Sequence, residues 1–191
     1  MARGFRWIAG VDEVGRGPLA GPVTAAAVIL DPDNIPPGLN DSKQLRPARR
    51  DALYDLILEK ALAVSVASVP AAMIDRVNIR QASLRAMEMA VRGLDLPPQF
   101  IFVDGRDVPP HFAAPAAAII KGDAKVMTIA AASIIAKVTR DRLMKKYARL
   151  WPGYGFEKHM GYATAQHLKA LALQGPCRLH RFSFAPIAPR N

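Results

Sequence analysis

The residue pattern predicts an α/β sandwich built on a mixed sheet, and three features carry that prediction. Two strand-like segments lie close together near the N-terminus, joined by a short glycine-punctuated connection. Helical and strand patterns then alternate, and the best strand candidates are apolar almost throughout, as strands covered on both faces are.

Arg6–Val11 is the first strand candidate and Pro22–Leu30 the second, with Gly15-Arg-Gly-Pro-Leu-Ala-Gly21 between them. Pro47–Leu62 has helical spacing through Leu53, Leu56, Ile57 and Ala61, and the β-branched, alternating Val64–Val69 is a third strand. Ile79–Leu94 repeats apolar residues at helical intervals, Phe100–Val103 is a fully apolar fourth strand, and Ala117–Ile120 is a weaker fifth. Lys125–Leu150 is the longest predicted helix. Ala163–Leu173 is the last, stopped by Gly175-Pro176. Pro-rich spots at Pro32–Pro37, Pro97-Pro98 and Pro109-Pro110 punctuate loops within one domain.

The chain has 191 residues, enough for a single domain with a proper core, and is 51% hydrophobic and 22% charged. No apolar run approaches the ~18 residues of a membrane span, the N-terminus has no apolar signal core, and the lone Cys177 excludes an internal disulfide. The cytoplasm is therefore the expected compartment, with no membrane partner. A net charge of +10 points to a polyanionic partner such as nucleic acid.

Against that basic background a few acids stand out. Asp12-Glu13 sits where the first strand runs into glycines. Neighbouring strand side chains face opposite ways, so both can aim at one site only if the chain distorts, which Gly15 and Gly17 make cheap. An ordinary turn with solvated charges is the simpler reading of the pair alone. Asp104 follows the apolar Phe100–Val103, at a strand end favoured for functional groups, although Asp-Gly is also a common turn. Asp123, just before the long helix, suits an N-cap as well as a metal-bound water. If these acids converge, they suit Mg²⁺, and two such ions about 4 Å apart can promote phosphodiester cleavage. No spacing rule requires Asp12, Asp104 and Asp123 to meet.

Taken together, these segments closely resemble the bacterial ribonuclease HII family, the type 2 ribonucleases H. Gly10-Val-Asp-Glu-Val-Gly-Arg-Gly-Pro-Leu-Ala-Gly-Pro-Val23 resembles the family's signature almost letter for letter. Asn40–Leu45, Val103–Gly105, Lys121–Asp123, Ile129–Asp141, Gly153–Phe156, His159–Tyr162 and His180–Phe184 follow in the family's order, from about residue 6 to 187. Ribonuclease HIII, the nearest rival family, lacks the Arg-Gly element that Arg16-Gly17 supplies here. A non-catalytic nucleic-acid-binding protein and a branched-DNA nuclease on the same fold are more distant rivals.

The resemblance implies a ribonuclease-H-like three-layer sandwich: a mixed five-stranded sheet flanked by helices over about 1–150, with a C-terminal helical extension over about 151–191. It implies a metal-dependent endonuclease acting on RNA–DNA hybrids and on DNA with embedded ribonucleotides, using Mn²⁺ or Mg²⁺, two ions during catalysis, and acting as a monomer. Asp12, Glu13, Asp104 and Asp123 would form the metal site. Gly15, Arg16 and Gly17 would approach the ribose and phosphate at the cut, and Tyr162 would pack on the sugar at the RNA-to-DNA junction. Ser133, Lys137 and Arg140, at helical intervals of four and three, and Lys43 are phosphate-contact candidates. His180 and Arg181 match a family block without an assigned chemistry. Met160 stands where the family commonly has a polar or basic residue.

Overall fold

The computed structural model describes residues 4–187. Strands β1 (Ile8–Val14), β2 (Val23–Leu30), β3 (Ala61–Val69), β4 (Phe100–Asp104) and β5 (Ala116–Ile119) form one sheet in the order β3-β2-β1-β4-β5. The pairs β1–β2 and β2–β3 are antiparallel, and β1–β4 and β4–β5 are parallel. This is the mixed five-stranded sheet that was expected.

Helices cover both faces, which is why β2 is buried at every position. On one face α2 (Ala71–Arg92) packs Ile74, Ala82, Ala86 and Ala90 against Ala9, Val11, Ile101 and Val103. On the other, α1 (Pro47–Lys60) and α3 (Met127–Leu150) pack Leu53, Ile57, Ile134 and Ile135 against Ala26, Val28 and Leu30. A third cluster, around Met144, Tyr154 and Phe156, joins the end of α3 to α4 (Phe156–His159) and α5 (Ala165–Gln174).

The differences from expectation have local causes. Helix α2 begins eight residues before the expected Ile79, because it is two helical pieces joined at Asn78, whose backbone is left-handed (φ 67°). The Asn78 side chain accepts a hydrogen bond from the Gln81 amide at 3.0 Å, so the periodic segment from Ile79 has its own cap. Asp123 does not cap α3, whose N-cap is Val126. It lies in a separate 3₁₀ turn, Gly122–Ala124. Strand β1 continues through the acids to Val14, and α4 escaped the sequence reading because it is a single turn.

Gly10 fixes the layer spacing where the site forms. A Cβ there would collide with the Thr128 carbonyl and the Ile129 nitrogen, so the first turn of α3 rests directly on the β1 backbone. Backbone cannot yield as a flexible side chain can, so Gly10→Ala is expected to destabilise the protein by about 2 kcal/mol or more, from the cost of overpacking a filled interior. Urea unfolding checks this, and an unchanged midpoint would contradict it.

Candidate active site

Parallel pairing of β1 with β4 places Asp12 and Asp104 side by side. Val11 is opposite Val103 in the register, so each strand reaches its acid one residue later. The third acid comes from the 3₁₀ turn, which Asp104 itself secures: its Oδ1 accepts from the Gly122 amide at 2.7 Å. Each of Asp12, Asp104 and Asp123 offers an oxygen, and these three atoms lie within 4.8 Å of one another. Asp12 and Asp123 are buried.

Glu13 is not one of these three, but it lines a cleft with Asp104 and feels that carboxylate's charge. No distortion interrupts β1 at the pair, since Asp12 stays opposite Ala26 and Glu13 opposite Ala25. Strand alternation then sends the two side chains to opposite faces. Glu13 meets Arg16, whose Nη1 is 3.1 Å from Oε1. The kink expected at the pair is absent, since the register of β1 is regular through both acids.

Three carboxylates at this range repel. Burial pushes the Asp12 carboxyl well above the usual carboxylate range, and the charges of Glu13 and Asp104 add to it. Burial likewise raises Glu13, against the pull of Arg16, and raises Asp123, with Asp104 adding to the rise. The one cation within ion-pair range of the three acids, among the described residues, is Lys43, whose Nζ is 3.8 Å from Asp123 Oδ2. Ser133 sets that segment: it is buried, and its hydroxyl bonds the Ser42 hydroxyl at 2.6 Å. Ser133 therefore holds a neighbour of Lys43 and does not itself face solvent.

The remaining predicted residues divide. Gly15 has φ +91°, and a Cβ there would strike the Arg140 side chain, so glycine is required. Gly17 has no such constraint, and a Cβ built on it would point to Tyr162 Cε1 at 3.9 Å. Tyr162 is 42% exposed, so the loop and this ring share one open surface. Lys137 is engaged with Asp141 at 2.7 Å.

Arg140 corrects the expectation of a phosphate contact. It is fully buried, and it donates to the carbonyls of Pro22, Ala20 and Met160 at 2.9, 3.1 and 3.0 Å. Met160 is left-handed (φ 52°) and packs against the third core cluster. Arg181, which the sequence singled out without a role, is also fully buried and donates to the carbonyls of Gly15, Arg16 and Gly21. Sequence reasoning missed a histidine chain. The Cys177 amide donates to His180 Nδ1 at 2.9 Å, His180 and His167 meet through their Nε2 atoms at 3.1 Å, and His167 Nδ1 reaches the Tyr162 carbonyl at 2.9 Å. No described helix is long and apolar enough to cross a membrane.

The donor set suits a hard divalent cation: oxygen ligands only, converging and mutually repelling without a counter-charge. The linkage has a definite sign. Because the folded Asp12 carboxyl holds its proton to higher pH than the unfolded one, its contribution to stability is complete below the unfolded pKa of about 4 and is lost as pH rises through the raised folded value. In chelator at neutral pH, Asp12→Asn is therefore expected to melt above the wild type, with the gap closing as pH falls below about 4. Mg²⁺ or Mn²⁺ should raise the wild-type midpoint and not that of Asp12→Asn. Thermal melts across pH, with and without metal, check both, and equal midpoints at neutral pH in chelator would contradict the first.

The chain is similar to known proteins. A family model described as Ribonuclease HII matches residues 9–187. A ribonuclease HII of Brucella ovis is 56% identical over 191 residues, spanning 100% of this chain and 87% of its own length. One from Bartonella henselae is 57% identical over 189 residues, spanning 98% of this chain and 85% of its own. The crystal structure of the ribonuclease H2 from Pyrococcus horikoshii superposes with a TM-score of 0.80 at 30% identity, over 94% of each chain.

Proposed function

The chain belongs to the ribonuclease HII family and is a type 2 ribonuclease H, and from its site we propose that it nicks duplex DNA 5′ of embedded ribonucleotides as well as hydrolysing the RNA strand of RNA–DNA hybrids. The observation that carries this is the convergence of Asp12, Asp104 and Asp123 at the base of the loop whose Gly17 faces Tyr162.

The family is divalent-metal dependent, and the acid cluster supplies the matching ligands. Asp12 and Asp104 would be the central ligands, with Asp123 completing the second position. Glu13 would assist from the cleft it lines with Asp104, where its charge is felt by Asp12. Two Mn²⁺ or Mg²⁺ ions, when bound, would supply the activation of water and the stabilisation of the leaving oxygen.

The protein's own groups do the rest. The +10 surface captures the duplex through phosphate contacts, which makes affinity fall with salt. Lys43, beside Asp123, neutralises charge at the cut. Backbone groups of Gly15, Arg16 and Gly17 meet the 2′-hydroxyl that distinguishes RNA from DNA. The half-exposed Tyr162 ring packs on the deoxy sugar to the 3′ side. Products would carry 3′-hydroxyl and 5′-phosphate ends, as expected of an enzyme removing ribonucleotides and RNA primers from DNA in the cytoplasm. The acting form proposed is the monomer.

The test is cleavage of a DNA duplex carrying one ribonucleotide, with Mg²⁺, Mn²⁺ or chelator, against the all-DNA duplex. A metal-dependent nick 5′ of the ribonucleotide, with none in the control, is expected. Cutting of long hybrids alone would remove the junction-reading role of Gly15–Gly17 and Tyr162, and cutting of neither would leave a binding protein. Asp104→Asn should lower the rate ~10³-fold, the size of losing several kcal/mol of transition-state stabilisation, with folding intact. Wild-type cleavage by that variant would contradict the assignment.

A further inference from the structure

Two arginines with no solvent exposure lie beneath the loop that follows β1. Neither Arg140 nor Arg181 has a carboxylate within ion-pair range among the described residues. Burying a guanidinium costs several kcal/mol unless hydrogen bonds replace its water. Here the replacement is backbone carbonyls: Gly15, Arg16 and Gly21 for Arg181, and Ala20, Pro22 and Met160 for Arg140. Five of these six belong to residues 15–22.

A trans peptide is planar, so its C=O and the next residue's N–H point in opposite directions. With the Gly15 and Arg16 carbonyls drawn inward, the amides of Arg16 and Gly17 turn outward. Neither amide donates to any described residue. The loop thus presents two free donors, each on a peptide polarised from behind by a guanidinium, which strengthens it as a donor. Pro18, which has no amide, ends this donor pair.

The same clasp reaches the Tyr162 segment. Arg140 bridges Ala20 and Pro22 to Met160, and the Leu19 amide donates to the Gly161 carbonyl at 2.8 Å. The loop and Tyr162 are therefore held at one separation by buried bonds from α3 and the C-terminal segment. That segment is in turn anchored by Asp75, which accepts from the Phe182 and Ser183 amides.

We infer that Arg140 and Arg181 are positioning residues for ribonucleotide recognition: by holding the loop carbonyls inward they aim the Arg16 and Gly17 amides at the substrate and fix their spacing from Tyr162. This rests on the reading of that loop and ring as the junction-sensing pair. A single embedded ribonucleotide must satisfy loop and ring at once, whereas a long hybrid offers many registers, so the clasp matters more for the first.

Arg140→Lys and Arg181→Lys keep a charge and lose the planar fork. Steady-state cleavage by each on a single-ribonucleotide duplex and on a long hybrid gives the readout. The ratio of kcat/KM for the two substrates is expected to fall about tenfold. The fall should sit in kcat, with the Mn²⁺-induced rise in melting midpoint kept. Equal proportional losses on both substrates, or none, would overturn the inference. Should neither variant fold, amide exchange in the wild type decides. Leu19 and Gly21 amides exchanging as slowly as the β1 core support a preset loop, and exchange at unstructured rates refutes it. If the wild type fails to cut the single-ribonucleotide duplex, the junction reading itself has failed, an outcome separate from either of these.

Discussion

Electrostatic repulsion among three carboxylates is the constraint around which this protein is arranged. Asp12, Asp104 and Asp123 bring one oxygen each to within 4.8 Å, two of the three are buried, and the nearby cation Lys43 is only 3.8 Å from one of them. Such a cluster costs stability unless a cation shares it. The fold accepts that cost at the C-terminal ends of β1 and β4, where parallel pairing leaves no freedom to separate the acids. Positive charge elsewhere on the surface cannot relieve repulsion at this depth, because it acts through solvent.

Holding the acids in place falls to backbone geometry. Gly10 lets the α3 backbone lie against β1, and the Asp104 bond to the Gly122 amide fastens the turn that carries Asp123. Beyond Val14 the method changes. The loop has no ladder partner over Gly15–Gly17, and two buried guanidiniums take over the role that strand pairing played before it. Strand pairing therefore governs where Asp12 and Asp104 stand, while side chains from distant segments govern how the neighbouring loop is posed.

The sheet was largely legible in the sequence because its signals are local: continuous apolar runs, β-branched alternation, and helical periodicity between them. The boundaries that moved did so at features a periodicity cannot carry, such as the left-handed Asn78 that splits α2. The candidate acids were legible as residues and not as a site, since nothing in the spacing of 12, 104 and 123 makes them meet; parallel pairing brings Asp12 to Asp104, and the turn fastened to Asp104 adds Asp123. Arg140 was the least legible. It shares a helix face with Lys137 and Ser133, and only the tertiary fold distinguishes an arginine that grips carbonyls from one that faces water. Arg181 lies 160 residues from its partner Gly21, so its local block marks the residue but not what it grips.

The most direct test of the acid cluster as a metal centre is anomalous diffraction from crystals soaked in Mn²⁺. The account expects manganese bound between the carboxylates of Asp12 and Asp104, with Asp123 at its border. Crystals in which Mn²⁺ binds elsewhere, with these three carboxylates ordered and metal-free at saturating concentration, would contradict it.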